Sequence, residues 1–152
     1  SFLYIFFFTV AAAKDLKIGS IIKLDNNVPS ECGLSFETAE VLSKVIIKKN
    51  KNGTSTVFMV SSKKEVIRKA NIKTSNVDLL KLLESDIKES KEIVIESVTN
   101  EDQTSAFFQE LLIGGGNFFV NNKKLQITGP INSKVRLEYL FCTGEMFLPN
   151  YN

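Results

Sequence analysis

The sequence predicts a mostly β protein: an antiparallel sheet or small β-sandwich with one amphipathic helix near residues 76–88, with α+β as the alternative class. Three observations carry this reading. Runs rich in β-branched and aromatic residues recur along the chain, separated by turn residues at a spacing of about 8–12, the pattern of antiparallel strands. One pair of runs flanks Asn52-Gly53, the strongest short-range hairpin signal, because both turn positions tolerate positive φ. Residues 75–88 alone place their leucines at helical spacing.

The chain opens on SFLYIFFFTVAAA. An uncharged apolar run ending in small residues has the form of a secretory signal peptide, and Ala11 and Ala13 fit the cleavage positions. There is no initiator methionine or basic leader, so residues 1–13 are read as a signal peptide shortened at its front. Residues 14–152 then form a single β-rich domain. A buried first strand is the alternative, since Phe and Ile favour strands. The run is shorter than the roughly 20 residues a transmembrane helix needs, so no transmembrane segment is expected.

Residues 14–24 (KDLKIGSIIKL) read as a short strand kinked at Gly19, and residues 25–33 (DNNVPSECG) as a loop. Residues 36–49 and 54–61 form the two arms of the predicted hairpin. Its turn holds Asn52-Gly53-Thr54, an N-glycosylation sequon at Asn52; alternatively these residues serve only the turn. Residues 65–74 give a third strand through Val66, Ile67 and Ile72.

Ser75 is a plausible N-cap for the helix, with Asp78 three residues on, and Leu79, Leu80, Leu83 and Ile87 share one face. That face packs on the sheet or meets a partner. Residues 92–98 alternate as a strand, whereas residues 104–113 suit a helix and a strand equally. The glycines at 114–116 interrupt the chain. Residues 118–120, 125–128 and 133–141 then read as strands, and residues 143–152 as a tail.

The chain has no histidine, which excludes a Ser-His-Asp triad, a Cys-His pair and His-ligated zinc. Its two cysteines, Cys32 and Cys142, allow one intramolecular disulfide, favoured in an oxidising compartment. Closing a loop of about 110 residues, that bridge is worth about 4–5 kcal/mol in the chain-entropy model. Two separate buried thiols are the alternative.

Net charge is only +2, but it is segregated. Residues 41–76 carry nine basic residues against one acidic residue, Glu65, and residues 77–110 carry three basic against nine acidic. Lys44, Lys48, Lys49, Lys63, Lys64, Arg68, Lys69 and Lys73 therefore form a candidate basic binding face. The alternative is two neighbouring solvated surfaces that attract each other. Phe58 is the sole aromatic in the basic block, so nucleic acid is not a favoured partner.

The triple glycine lacks the following Lys-Ser/Thr of a phosphate loop and fits a turn or a close backbone approach. Glu101-Asp102 is a carboxylate pair without specificity, and Asp25-Asn26-Asn27 lacks the rest of a calcium loop. The expectation is no enzyme, no cofactor and no metal. Phe107, Phe118, Tyr139 and Phe141, with Phe108 and Phe119 beside them, are candidates to line an apolar cavity or to fill a core. The expected partner is thus an unidentified protein or a small hydrophobic ligand or lipid.

Ile95-Glu96-Ser97-Val98, Asp102-Gln103, the cluster Gly114–Gly116, Asn117 with Val120, and Val135-Arg136-Leu137-Glu138-Tyr139 follow one another over residues 92–141, and Lys17-Ile18-Gly19-Ser20 stands near the start. This order resembles the secreted insect family called multiprotein bridging factor two. Gly129-Pro130-Ile131-Asn132 replaces that family's turn before the last strand, and residues 63–91 look like an insertion. The resemblance implies a small β-rich protein without catalytic residues, a final strand at Val135–Tyr139 and a bridging role; it transfers no site residue.

Overall fold

A computed structural model describes residues 16–51 and 53–148. The predicted leader at residues 1–13 and the glycosylation acceptor Asn52 lie outside the described residues.

In chain order the elements are β1 (Lys17–Asp25), β2 (Val28–Glu37), β3 (Val41–Asn50), β4 (Gly53–Ser62), β5 (Ala70–Lys73), α1 (Leu79–Leu83), β6 (Glu92–Thr99), α2 (Glu101–Gly114), β7 (Gly115–Val120), β8 (Lys123–Thr128) and α3 (Ser133–Met146). The fold is β-rich α+β. One antiparallel sheet runs β1-β2-β3-β4-β6 and a smaller one runs β5-β7-β8.

The β1–β2 and β3–β4 hairpins follow from local chemistry. Asn26 and Asn27 take φ of 52° and 66°, a conformation that asparagine tolerates, so β1 turns directly into β2. Residues 25–33 are therefore mostly strand rather than loop. Pro29, which has no N–H to give, sits where the register shifts, Lys23 facing Glu31 and Leu24 facing Pro29. The predicted β3–β4 hairpin forms, with Asn50 opposite Gly53, whose φ is 146°.

The helix expected near residues 76–88 contracts to α1. Thr74 N–H donates to the Val77 carbonyl at 2.9 Å, which spends Ser75 in a turn, and Asp78 caps α1 by accepting from Lys81 N–H at 3.2 Å. Glu84 then closes the helix at φ 51°. Burial pushes the Asp78 carboxyl up, but the Asn71 amide, the Lys81 N–H and the Lys73 ammonium outweigh it and hold it below the usual range. The strand expected over residues 65–74 shortens to β5. Its approach is fixed by Asn121, which accepts from Arg68 N–H at 2.7 Å and donates to the Val66 carbonyl at 3.0 Å.

The segment open to helix or strand is α2. The glycines act through close approach: Gly115 has φ 70°, and a Cβ there would run into the Ile127 carbonyl oxygen.

The strand expected at residues 133–141, and implied by the resemblance at Val135–Tyr139, is part of α3. Its apolar residues fit period 2 through Val135, Leu137, Tyr139 and Phe141. They also fit the helical set Val135, Tyr139, Cys142 and Met146, and burial selects the second. Asn132 supplies the cap, accepting from Lys134 N–H at 2.8 Å. The helix takes in much of what was read as a tail, through the buried Met146.

One core fills the molecule. Leu34, Phe36, Val45, Ile47, Phe58, Val60, Ile93 and Ile95 on one face of the large sheet meet all three helices and the small sheet.

Candidate functional site

An apolar groove lies between α2 and α3 above β3. Its walls are positioned by separate devices. Asn100 caps α2 by accepting from Asp102 N–H at 2.8 Å. Buried Thr104 ties the first turn of α2 to the sheet: its hydroxyl lies 3.1 Å from that of Thr56 and donates to that of Thr99 at 2.9 Å. These contacts turn Phe107, Phe108, Leu111 and Leu112 inward.

α3 is held by a disulfide between Cys32 and Cys142, whose Cα atoms are 5.8 Å apart. The Tyr139 ring stacks on Phe108 at 4.7 Å between centroids. At the carboxyl end of α3 the Lys49 ammonium donates to the Met146 carbonyl at 3.0 Å, where a cation suits the helix dipole.

The cavity between the helices measures about 470 Å³. Ile47 forms its floor, and Leu112, Ile113, Leu140 and Phe147 give it apolar walls. Ser105 and Gln109 from α2, and Arg136, Tyr139 and Thr143 from α3, add polar groups. The volume lies within the range of about 300–1,000 Å³ for small-molecule sites, and a mainly apolar lining with few polar groups is their usual make-up. Arg136 is half-buried, and its Nε donates to the Ile131 carbonyl at 2.7 Å. Burial pushes the Tyr139 phenol well above its ordinary value, so it stays a neutral O–H.

Of the four aromatic cavity candidates, only Tyr139 lines this groove. Phe107 and Phe118 lie fully in the core, and Phe141 is 70% exposed on the far side of α3. Core packing, the alternative, accounts for the first two. Arg136, Gln109, Ser105 and Thr143 were not singled out by sequence. The available signal was helical spacing, with Arg136, Leu140 and Thr143 on one side of α3, and it was masked by the strand reading.

The basic candidates do not gather on one face. Lys44 and Lys48 alternate with core-facing Val45 and Ile47, so they lie on the outer face of the large sheet, where Lys48 pairs with Glu96 at 3.3 Å. Lys49 points to the core side, towards α3. Lys63 and Lys64 follow β4, and Lys64 reaches Glu40 at 3.9 Å. Glu40 is held below the usual carboxylate range, first by the hydrogen bond from Lys123 and then by the charges of Lys123 and Lys64.

Arg68, Lys69 and Lys73 do meet, around a shallow depression that also contains Asp86 and Phe119. There Lys73 lies 3.8 Å from Asp78. Two of these pairs, Lys48–Glu96 and Lys73–Asp78, join the basic block to the acidic one, as the neighbouring-surfaces alternative expects.

Among the described residues no helix is long and apolar enough to cross a membrane, and no cluster of three cysteine or carboxylate residues suits a metal ion. Comparison with protein-family models, curated proteins and solved structures returns no match.

Proposed function

We propose that this chain is a small secreted, non-catalytic binding protein that holds a small hydrophobic ligand in the groove between α2 and α3. The observation that carries the reading is the cavity of about 470 Å³, floored by Ile47 and walled by two helices that are each anchored independently of any ligand. Pre-organisation of this kind lowers the entropic cost of binding. Secretion is supported by the apolar leader in the sequence and by the Cys32–Cys142 bridge, which belongs to an oxidising compartment.

The test is titration of the purified chain with the neutral fluorophore N-phenylnaphthylamine. Gly144 borders the groove, and a Cβ built there meets nothing within 4 Å. Gly144→Leu therefore adds an apolar side chain at the border of the groove without a clash, while improving helix propensity by roughly 0.5–1 kcal/mol. The expected result is saturable fluorescence enhancement in the native chain, lost in Gly144→Leu with no fall in melting temperature. Undiminished enhancement in the variant would place the dye elsewhere and end the reading.

A second reading, a protein-interaction module such as the bridging-factor resemblance implies, draws on the outward face of α3. Leu137, Leu140 and Phe141 are 52%, 55% and 70% exposed there.

A further inference from the structure

Among the described residues Arg136 is the only charged one in the groove lining, and no carboxylate joins it there. Among the described residues it forms no ion pair. Its Nε is committed to the Ile131 carbonyl, one turn below, which fixes the plane of the guanidinium and leaves both terminal nitrogens to a ligand. A planar fork of this kind is matched by a carboxylate, which accepts two parallel N–H bonds.

We propose that the ligand is a monoanionic amphiphile of the fatty-acid type, its carboxylate paired with Arg136 and its hydrocarbon tail lying against Ile47, Leu112, Leu140 and Phe147. This rests on the ligand-binding reading above and names the ligand class for it. A single cation sets the charge. A phosphate dianion would leave one negative charge uncompensated beside apolar walls, whereas a carboxylate is neutralised. Tyr139 adds a neutral hydroxyl whose partner is not found among the described residues, and Gln109 faces the groove from the opposite wall with an amide donor. A purely apolar ligand would leave the Arg136 terminal nitrogens to water, whereas a carboxylate gives them a charged, bidentate partner.

The experiment compares cis-parinaric acid, a fluorescent fatty acid, with its methyl ester, on the native chain and on Arg136→Gln and Arg136→Lys. The native chain should bind the acid about tenfold more tightly than the ester, the scale of one charged hydrogen-bonded pair. Arg136→Gln should remove the preference, so that acid and ester bind alike, and an unchanged melting temperature of the variant shows that it is folded. Arg136→Lys should keep part of the preference. Equal binding of acid and ester by the native chain, or a preference that survives in Arg136→Gln, overturns the carboxylate pairing and leaves the hydrophobic groove standing. Failure to bind either compound overturns both.

Discussion

α2 and α3 are each 14 residues long and flank the same groove, but they spend their apolar residues differently. α2 turns Phe107, Phe108, Leu111 and Leu112 into the core and leaves Ile113 as its one large exposed apolar side chain. α3 buries Val135, Tyr139, Cys142 and Met146, yet shows Leu137, Leu140 and Phe141 to the outside. A helix that is apolar on both sides has more hydrophobic surface than its own core contact uses. α2 is thus a structural wall, and its packing explains its sequence. The outward residues of α3 are unexplained by packing, and they continue from the rim of the groove at Leu140. This contrast leaves α3 as the helix with exposed apolar surface beyond its core contact.

The largest effect should come from α2. Phe108→Ala removes a ring that is 1% exposed and on which Tyr139 rests, and should cost about 3–5 kcal/mol in urea unfolding. A loss below about 1 kcal/mol would mean that α2 is not the rigid wall described, since a buried ring cannot be deleted so cheaply from a close-packed site.

The next effect separates the two anchors. Replacing Cys32 and Cys142 together by alanine should cost about 2–5 kcal/mol, the chain-entropy value being the upper end, and raise the urea m-value, because the unlinked unfolded chain is more expanded. Hydrogen exchange should then rise more over α3 than over α2, whose cap and threonine contacts remain. Equal loss of protection in both helices would remove the distinction between their anchoring.

The smallest effect is the most discriminating. Phe141→Ser, on the exposed face, should change stability by no more than about 0.5 kcal/mol, as surface substitutions usually do. A loss near that of Phe108→Ala would show that the outward face of α3 is covered in the folded protein.

Where strands and turns are fixed by near neighbours, the sequence was legible. Asn52-Gly53 between two β-branched runs announced the β3–β4 hairpin, and the alternation of Ile93 and Ile95 announced β6. The same holds for the triple glycine, whose predicted close approach is the contact between Gly115 and the Ile127 carbonyl. The failures occur where two periods fit one segment. Val135, Leu137, Tyr139 and Phe141 alternate as a strand would, and only the burial of Cys142 and Met146 beside Val135 and Tyr139 reveals a helix. Residues 75–88 failed in the opposite sense: the leucine pattern was helical, but the turn over residues 74–77 and the left-handed Glu84 cut the helix to α1. The candidate groove was legible only through Tyr139, because its other polar members sit on helices whose relative placement no local pattern encodes.

Residue types and their near neighbours already specify the β-rich class, the antiparallel hairpins, the absence of histidine chemistry and the presence of one possible cysteine pair. Those properties depend on residue type and on neighbours a few positions apart. Tertiary structure decided that residues 133–146 coil as α3, that Cys32 and Cys142 meet across 110 residues of chain, and that Arg136 stands alone in an apolar groove. Such outcomes rest on long-range burial: which of two possible stripes is withdrawn from water is settled only when the sheet that covers it is in place.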